Sequence, residues 1–514
     1  MSKTLKTILY ILGGILLVLT LGFFILKAVL TNKIETFVHQ ELPKNMEADY
    51  KTLDLNLWSG GAYLTSPTIV IKNQGTGQVH TNISADTLQL TQLDYWGYLF
   101  KDKVKLSKFS LEHPVVLHYP HLVGSDSASS GSSTNLKNRF LIDTLALSDA
   151  SLTIYDSTQD SVALHSPSVN LSIRGISLDS TTISAKIPFN YTTFSVGADS
   201  IFAKTSPYEN TTVGSLSVEN RTATLTKVRL KTKYSRAKHA RLLEKERDHF
   251  DLEIDEIHLG AIDFGFRDAQ FFFGSSHLEF KSPNLNIFRN KLVADAPTTK
   301  PLYSEMLRKL PFQLSIDSAS ISNANIRYTE KVNENTQGGT LTFSNLNAAI
   351  SNLGNTYGEG ENTTLDISAQ FMEEAPVQVT WTFDVNNASD AFTFKADVGH
   401  LNASELNKFT EPNLFVRLQG DAQQTYFTIN GNAESSQIDF KIKYDEFKVK
   451  VLEKGESDKK WLISTFANLL LSDNSNSADN DFKDGSAQVE RVENKSFFNY
   501  LWLNVRAGLK ATLM

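Results

Sequence analysis

Hydrophobic and polar positions follow one pattern that returns four times along the chain. In Phe140–Tyr155, FLIDTLALSDASLTIY, the residues three and one before Asp143 are apolar, as are those two, four, nine and eleven after it: Phe140, Ile142, Leu145, Leu147, Leu152 and Ile154. The same offsets from Ser107 reach Val104, Leu106, Phe109, Leu111 and Val116. From Asp255 they reach Leu252, Ile254, Ile257 and Leu259, with Ile262 and Phe264 arriving two residues early. From Asp317 they reach Leu314, Ile316, Ala319, Ile321, Ile326 and Tyr328.

Within each run the spacing of two is that of a strand with one apolar and one polar face. The step of three across Asp143, and a second slip before Leu152, flip that phase. A flip without an intervening helix implies a bulge or tight turn that keeps the apolar set on one side of the sheet. The unit is therefore read as a bent strand followed by an antiparallel return. Copies two to four close with Ser166-Pro167-Ser168-Val169-Asn170-Leu171, Ser282-Pro283-Asn284-Leu285-Asn286-Ile287 and Ser344-Asn345-Leu346-Asn347, which extends the repeat to roughly 30 residues.

Strand patterns also precede and follow the copies. Leu53, Leu55 and Leu57 alternate, and Trp58-Ser59-Gly60-Gly61 turns the chain toward Leu64–Ile71. Val377 to Val385 and Ile438 to Tyr444 alternate without a break, and the phase flips again at Asp445-Glu446. Arg236–His249 and Leu302–Leu310 have helical spacing, and Asn32–Glu47 reads as a juxtamembrane helix or linker. Gly124–Thr134 reads as a polar Ser/Gly loop; near the end, Trp461–Leu471 reads as an apolar helix, Ser472–Ser486 as polar low complexity, and Phe497–Leu513 as a helix with Phe498, Leu501, Trp502, Val505 and Leu509 on one stripe.

The N-terminus adds a membrane signal. Thr7–Leu26 is 20 residues without a charge, and a helix of that length spans roughly 30 Å, the hydrocarbon thickness of a bilayer. Lys3 and Lys6 precede it, which orients the tail to the cytoplasm and everything after the helix outside it. No small-x-small cleavage site follows Leu26, so the segment reads as an anchor rather than a cleaved signal. The expected organisation is an anchor over 1–31, a repeating β body over 32–455 and a helical, low-complexity tail over 456–514.

Composition narrows function mainly by exclusion. A net charge of −7 gives no nucleic-acid signature. Cysteine is absent, which excludes disulfides and thiolate-held metals. No nucleophile elbow, zinc-protease helix, phosphate loop or dinucleotide fingerprint is present. His113, His118 and His121 cluster near one strand, and Asp479, Asp481, Asp484 and Gly485 resemble half of a calcium loop. The histidines read as part of an exposed strand and turn, and the aspartates as a solvated linker without the closing glutamate. The reading is of a non-enzyme that needs no cofactor.

That leaves the apolar stripes. They either pack under a second layer as a closed core, or line an open trough on a sheet that curls on itself. The scarcity of covering helices favours the trough. Its floor is assigned to Leu145, Leu147, Leu152, Ile154, Ile257, Leu259, Phe264, Phe266, Ile321, Ile326 and Tyr328. The expected fold is mainly β: a transmembrane helix followed by an elongated, curled antiparallel sheet forming a hydrophobic groove, with a few short helices. With 20 to 25 strands at about 4.8 Å, the trough would run on the order of 100 Å.

The anchor, the Ile83–Leu90 strand, the Trp96–Phe100 step, the run Val104-Lys-Leu-Ser-Lys-Phe-Ser-Leu-Glu-His-Pro-Val-Val-Leu and the copy Ile316-Asp-Ser-Ala-Ser-Ile-Ser-Asn-Ala-Asn-Ile-Arg-Tyr resemble AsmA-like proteins of Gram-negative bacteria. The resemblance implies an inner-membrane protein whose periplasmic β-groove carries phospholipids and supports outer-membrane lipid homeostasis, as in bridge-like lipid transfer proteins. This chain is shorter than the largest members, which weighs against a complete bridge and points to an envelope protein or the outer membrane as the contact at its C-terminal end. The alternative is a membrane-anchored scaffold with a closed β core that binds envelope proteins.

Overall fold

The computed structural model describes all residues except 1, 2, 37, 40, 41, 43, 101, 102, 124–138, 158–160, 183, 184, 453–481 and 514, and only the backbone of 3–19, 96, 98, 99, 451 and 513. The expectations for Gly124–Thr134, Trp461–Leu471 and most of Ser472–Ser486 lie outside the described residues. Residues 483–486 instead open a strand, Lys483–Glu490.

The fold is mainly β, with long strands such as Arg139–Tyr155, Val162–Leu178, Gln313–Lys331, Gly339–Gly354, Val416–Gly431 and Ser435–Val451. Among the described residues six α-helices accompany them: α1 Lys3–Thr36, α2 Tyr95–Phe100, α3 Arg236–Leu242, α4 Tyr303–Arg308, α5 Asn407–Leu414 and α6 Phe497–Leu513. The helical spacing of Arg236–His249 and Leu302–Leu310 is realised only in the shorter α3 and α4, because His249 already pairs with Phe288 in a strand. Within the 32–47 linker α1 continues to Thr36, and a strand starts at Met46. Backbone helix covers the expected anchor, yet among the described residues no helix is long and apolar enough to cross a membrane.

The chain divides into two compact units, one of residues 1–204 and 215–220, the other of 205–214 and 221–514. The division falls inside the expected 32–455 body, and the C-terminal helix belongs to the second unit.

The expected phase flips appear as aligned rows in the strands. Pairing skips Asp143 opposite both Ser107 and Gly175, Asp255 opposite Lys227, and Asp317 opposite both Ser276 and Asn352, with the register unchanged on either side. Gly175, Lys227 and Asn352 have φ of 67°, 50° and 55°. When every strand breaks at the same row, all of them bend together and none slips against its neighbour.

The second slip is a row of bulges. Asp149, Ser282, Asn323 and Asn345 are left-handed, and the register shifts between Ser166 and Val169 and between Ile321 and Ala324. The recurrent closing Asn now has a physical role. Asn170 Oδ1 accepts the Asp149 N–H at 3.0 Å, and Asn347 Oδ1 accepts the Asn323 N–H at 3.0 Å. Asn347→Ala is expected to lower the urea midpoint by the equivalent of about 1 kcal/mol, the value of one such bond. At Asp445-Glu446 the same device recurs, with Glu446 left-handed and the register shifting between Gln419 and Asp421.

The purely antiparallel expectation is corrected. Lys103–Glu112 and Val115–His118 run parallel to Arg139–Tyr155, and Gln270–Lys281 and Asn284–Asn290 run parallel to Gln313–Lys331. A parallel neighbour needs a long crossover, which 291–312 provides in the second unit.

Candidate lipid-binding face

Register brings the repeated apolar residues into rows that run across the strands. In the first unit Leu64, Leu88, Leu111, Leu147, Leu171 and Val196 are direct partners from strand to strand. Two residues along, Ala62, Leu90, Phe109, Leu145, Ile173 and Phe194 form a second row on the same face.

The second unit carries longer rows. One joins Leu225, Ile257, Phe280, Ile321, Ala348, Ile367, Val379, Ala396, Phe427, Phe440 and Gly485. Its neighbour joins Ala223, Leu259, Leu278, Ala319, Ile350, Leu365, Trp381, Phe394, Ile429, Ile438 and Ala487. No charged residue interrupts either row across eleven strands. At about 4.8 Å per strand the pair extends roughly 50 Å.

The opposite face of the same strands is polar. Lys231 reaches Glu253 at 2.9 Å and Lys281 reaches Glu256 at 2.7 Å, and both lysines are raised above their ordinary value chiefly by those hydrogen bonds. Clefts of about 860 Å³ and 1010 Å³ also lie on that side of the last strands, with Asp366, Lys395, Asp397 and Asp439 lining the first. The first also touches the apolar row at Ile367, Val379, Ala396, Phe427 and Phe440, and its acidic groups are held by neighbours, as in Thr380 to Asp366 at 2.7 Å and Ser486 to Asp439 at 2.6 Å.

Exposure along the apolar face changes from one end of each unit to the other. Ile257, Leu259, Leu278, Phe280, Ile321 and Ile350 are half-buried although each lies mid-sheet. A packed second layer would close such positions to water. Ile429 and Ile438, by contrast, are 0% exposed and Phe440 3%. The cause is α6, which lays Phe497, Tyr500, Leu501, Val505 and Leu509 on them. Phe497 stacks on Trp381 with ring centres 4.6 Å apart. Buried Asn504 is satisfied in that seat, accepting from the Ser436 hydroxyl and donating to the Tyr500 carbonyl, both at 2.9 Å.

The expected α6 stripe is therefore shifted. Phe498 and Trp502 are 65% and 42% exposed, because α6 sits down at Gly508, where a Cβ would lie 2.7 Å from the Phe440 Cβ. In the first unit α1 does the corresponding work, with Leu26, Leu30 and Ile34 resting on Leu55 and Ala62 at the start of the rows.

A backbone hydrogen bond and an ion pair hold the lead into α6. The Glu493 carbonyl accepts the Lys300 N–H at 2.8 Å, and Lys495 pairs with Asp295. Lys495 holds the Asp295 carboxyl down at about 2. A lowered carboxylate adds stability above its unfolded value, near 4, and loses it as pH falls toward 2. Acid titration of α6 amide exchange is therefore expected to show loosening only below about pH 4.

The floor residues read from the sequence are placed as follows. Leu145, Leu147, Ile257, Leu259 and Ile321 lie in the rows above. Leu152 joins Ile69, Ile83 and Val116, while Ile154 lies between His118 and Leu164. Ile326 joins Leu252, Leu285, Phe343 and Phe371. Phe264 joins Phe273 and Leu314, and Phe266 lies opposite Phe271, where Phe266 is exposed. Tyr328 lies between Ile287 and Leu341, in a charged neighbourhood. Its hydroxyl donates to Glu330 at 2.6 Å, and burial, with Glu330, raises its pKa. Leu278, Phe280, Ile350 and Ile367 escaped the sequence reading because cross-strand partnership is invisible along one strand.

The histidines are dispersed. His113 Nδ1 lies 3.0 Å from Asp86, whereas His118 Nδ1 meets Thr81 at 2.8 Å. Among the described residues no acidic or histidine cluster is placed to hold a metal ion. No family model and no curated protein matches the chain.

Proposed function

We propose that the chain binds phospholipid acyl chains along its apolar rows and moves them between envelope membranes, as an inner-membrane anchored periplasmic protein supporting outer-membrane lipid homeostasis. The observation that supports it most is the pair of apolar rows that stay half-exposed over most of the sheet and have a polar reverse face. The resemblance to AsmA-like proteins and the uncharged Thr7–Leu26 segment point the same way.

The energetics suit that task. Exposing a 16-carbon chain to water costs roughly 12 kcal/mol at about 0.8 kcal/mol per CH₂. Rows of similar apolar residues remove most of that cost without creating one deep well, while head groups remain hydrated beyond the edge. Lateral movement then needs many sites of near-equal affinity and no catalytic group.

The test is photocrosslinking in cells. Probes at Leu147 and Ile321 are expected to capture phospholipid, and probes at Ala146 and Ser320, the next residues on the reverse face, are not. Equal labelling of both faces would overturn the proposal.

A further inference from the structure

The geometry points to a second membrane contact in the first unit: Trp58, in the turn between the strands Thr52–Asn56 and Gly61–Thr65, inserts into the interfacial layer of the bilayer that holds α1. The inference rests on the anchor reading of α1 and adds to it a site outside the helix. Trp58 is 90% exposed, an unusual state for the largest apolar side chain. It is not loosely presented. Asn56 Oδ1 accepts the Trp58 and Ser59 N–H groups at 3.1 and 3.2 Å. Gly60 closes the turn at φ 67°, where a Cβ would lie 2.9 Å from the Leu93 nitrogen.

The occupant is indicated by what lies beside it. The Trp58 ring is 6.0 Å from the Phe23 ring, and Phe23 is 5.9 Å from Phe24. Leu21, Phe24 and Ile25 on the same helix are each more than half exposed. Trp58 thus continues an apolar surface that belongs to the uncharged segment. One turn further along, Lys27 pairs with Asp54 at 3.4 Å, about 6 Å beyond Phe23 by helix rise. Charges at one level with tryptophan one turn deeper is the order found at a bilayer surface.

Two contacts, a helix and a turn, stop the unit from swivelling about α1. They hold half-buried Leu90 and Phe109, beside the α1-covered start of the apolar row, at the level from which an acyl chain can leave the leaflet without crossing water.

The absence of cysteine makes the test direct. A nitroxide is attached to Trp58→Cys and, separately, to exposed Thr65→Cys at the other end of the hairpin, in the full chain reconstituted into phosphatidylethanolamine–phosphatidylglycerol liposomes. Oxygen collisions are expected to exceed those of a water-soluble nickel chelate at 58, and the reverse is expected at 65. Liposomes that float with the protein while the chelate dominates at 58 would overturn the inference and leave the anchor standing. Spin–spin broadening at 58 would assign the site to a second copy and overturn it too. Protein that does not float would overturn both readings.

Discussion

Ile321→Asp is expected to abolish lipid capture at a neighbouring probe on Leu278 while the protein stays folded. Ile321 is half-buried between Phe280 and Ala348, so in the empty protein the new carboxylate can remain hydrated. An acyl chain lying over it would strip that water. Desolvating a charge without a partner costs several kcal/mol, and roughly 3 kcal/mol corresponds to about a hundredfold loss of occupancy. Ser320→Asp places the same charge on the reverse face and is expected to leave capture unchanged. Mass spectrometry of the crosslinked lipid distinguishes the two. Equal loss in both variants would indicate a general folding effect, and no loss in either would remove the rows from lipid binding.

Phe497→Ala is expected to be the most destabilising single change in the second unit. It deletes a ring that is 5% exposed and stacked on Trp381, and large-to-small changes at such sites cost about 3–5 kcal/mol. Gly508→Val acts on the same seat by the opposite route. Its added side chain meets the Phe440 Cβ and Cγ at 2.7 and 2.9 Å, and lifting α6 uncovers Ile429, Ile438 and Phe440. A urea midpoint and hydrogen exchange over residues 416–451 report the first effect. A photoprobe at Ile438 reports the second: silent in the parent chain, it is expected to capture lipid once α6 is displaced. Silence in both chains would make α6 part of a closed core.

Much of this architecture is written in the chain because a strand declares its faces locally. The step of three across Asp143 corresponds to a row shared with Ser107 and Gly175, and the closing Asn170 and Asn347 correspond to bulges whose N–H groups, on Asp149 and Asn323, they accept. Each of these is a property of a few consecutive residues, so pattern alone is enough to locate it. Asn407–Leu414 escaped notice as a helix because Pro412 lies inside it, and its 3₁₀ lead-in is set by Asn402 accepting the Ser404 N–H.

What the pattern of residues could establish was therefore which side chains share a face and where each strand bends. Which strands stand side by side, and in which direction, was decided by crossovers that leave no mark on alternation, so the parallel pairs and the membership of Leu278, Phe280 and Ile350 in the rows emerged only with the fold. The cover over the apolar face was settled in the same way. Phe497 and Phe498 are equally apolar neighbours 100° apart on one helix, and the choice between them follows the close approaches of that helix at Gly508 to Phe440 and at Ala511 to Gly485. An apolar face is a local fact, whereas being open or covered depends on chain that arrives from far along the sequence.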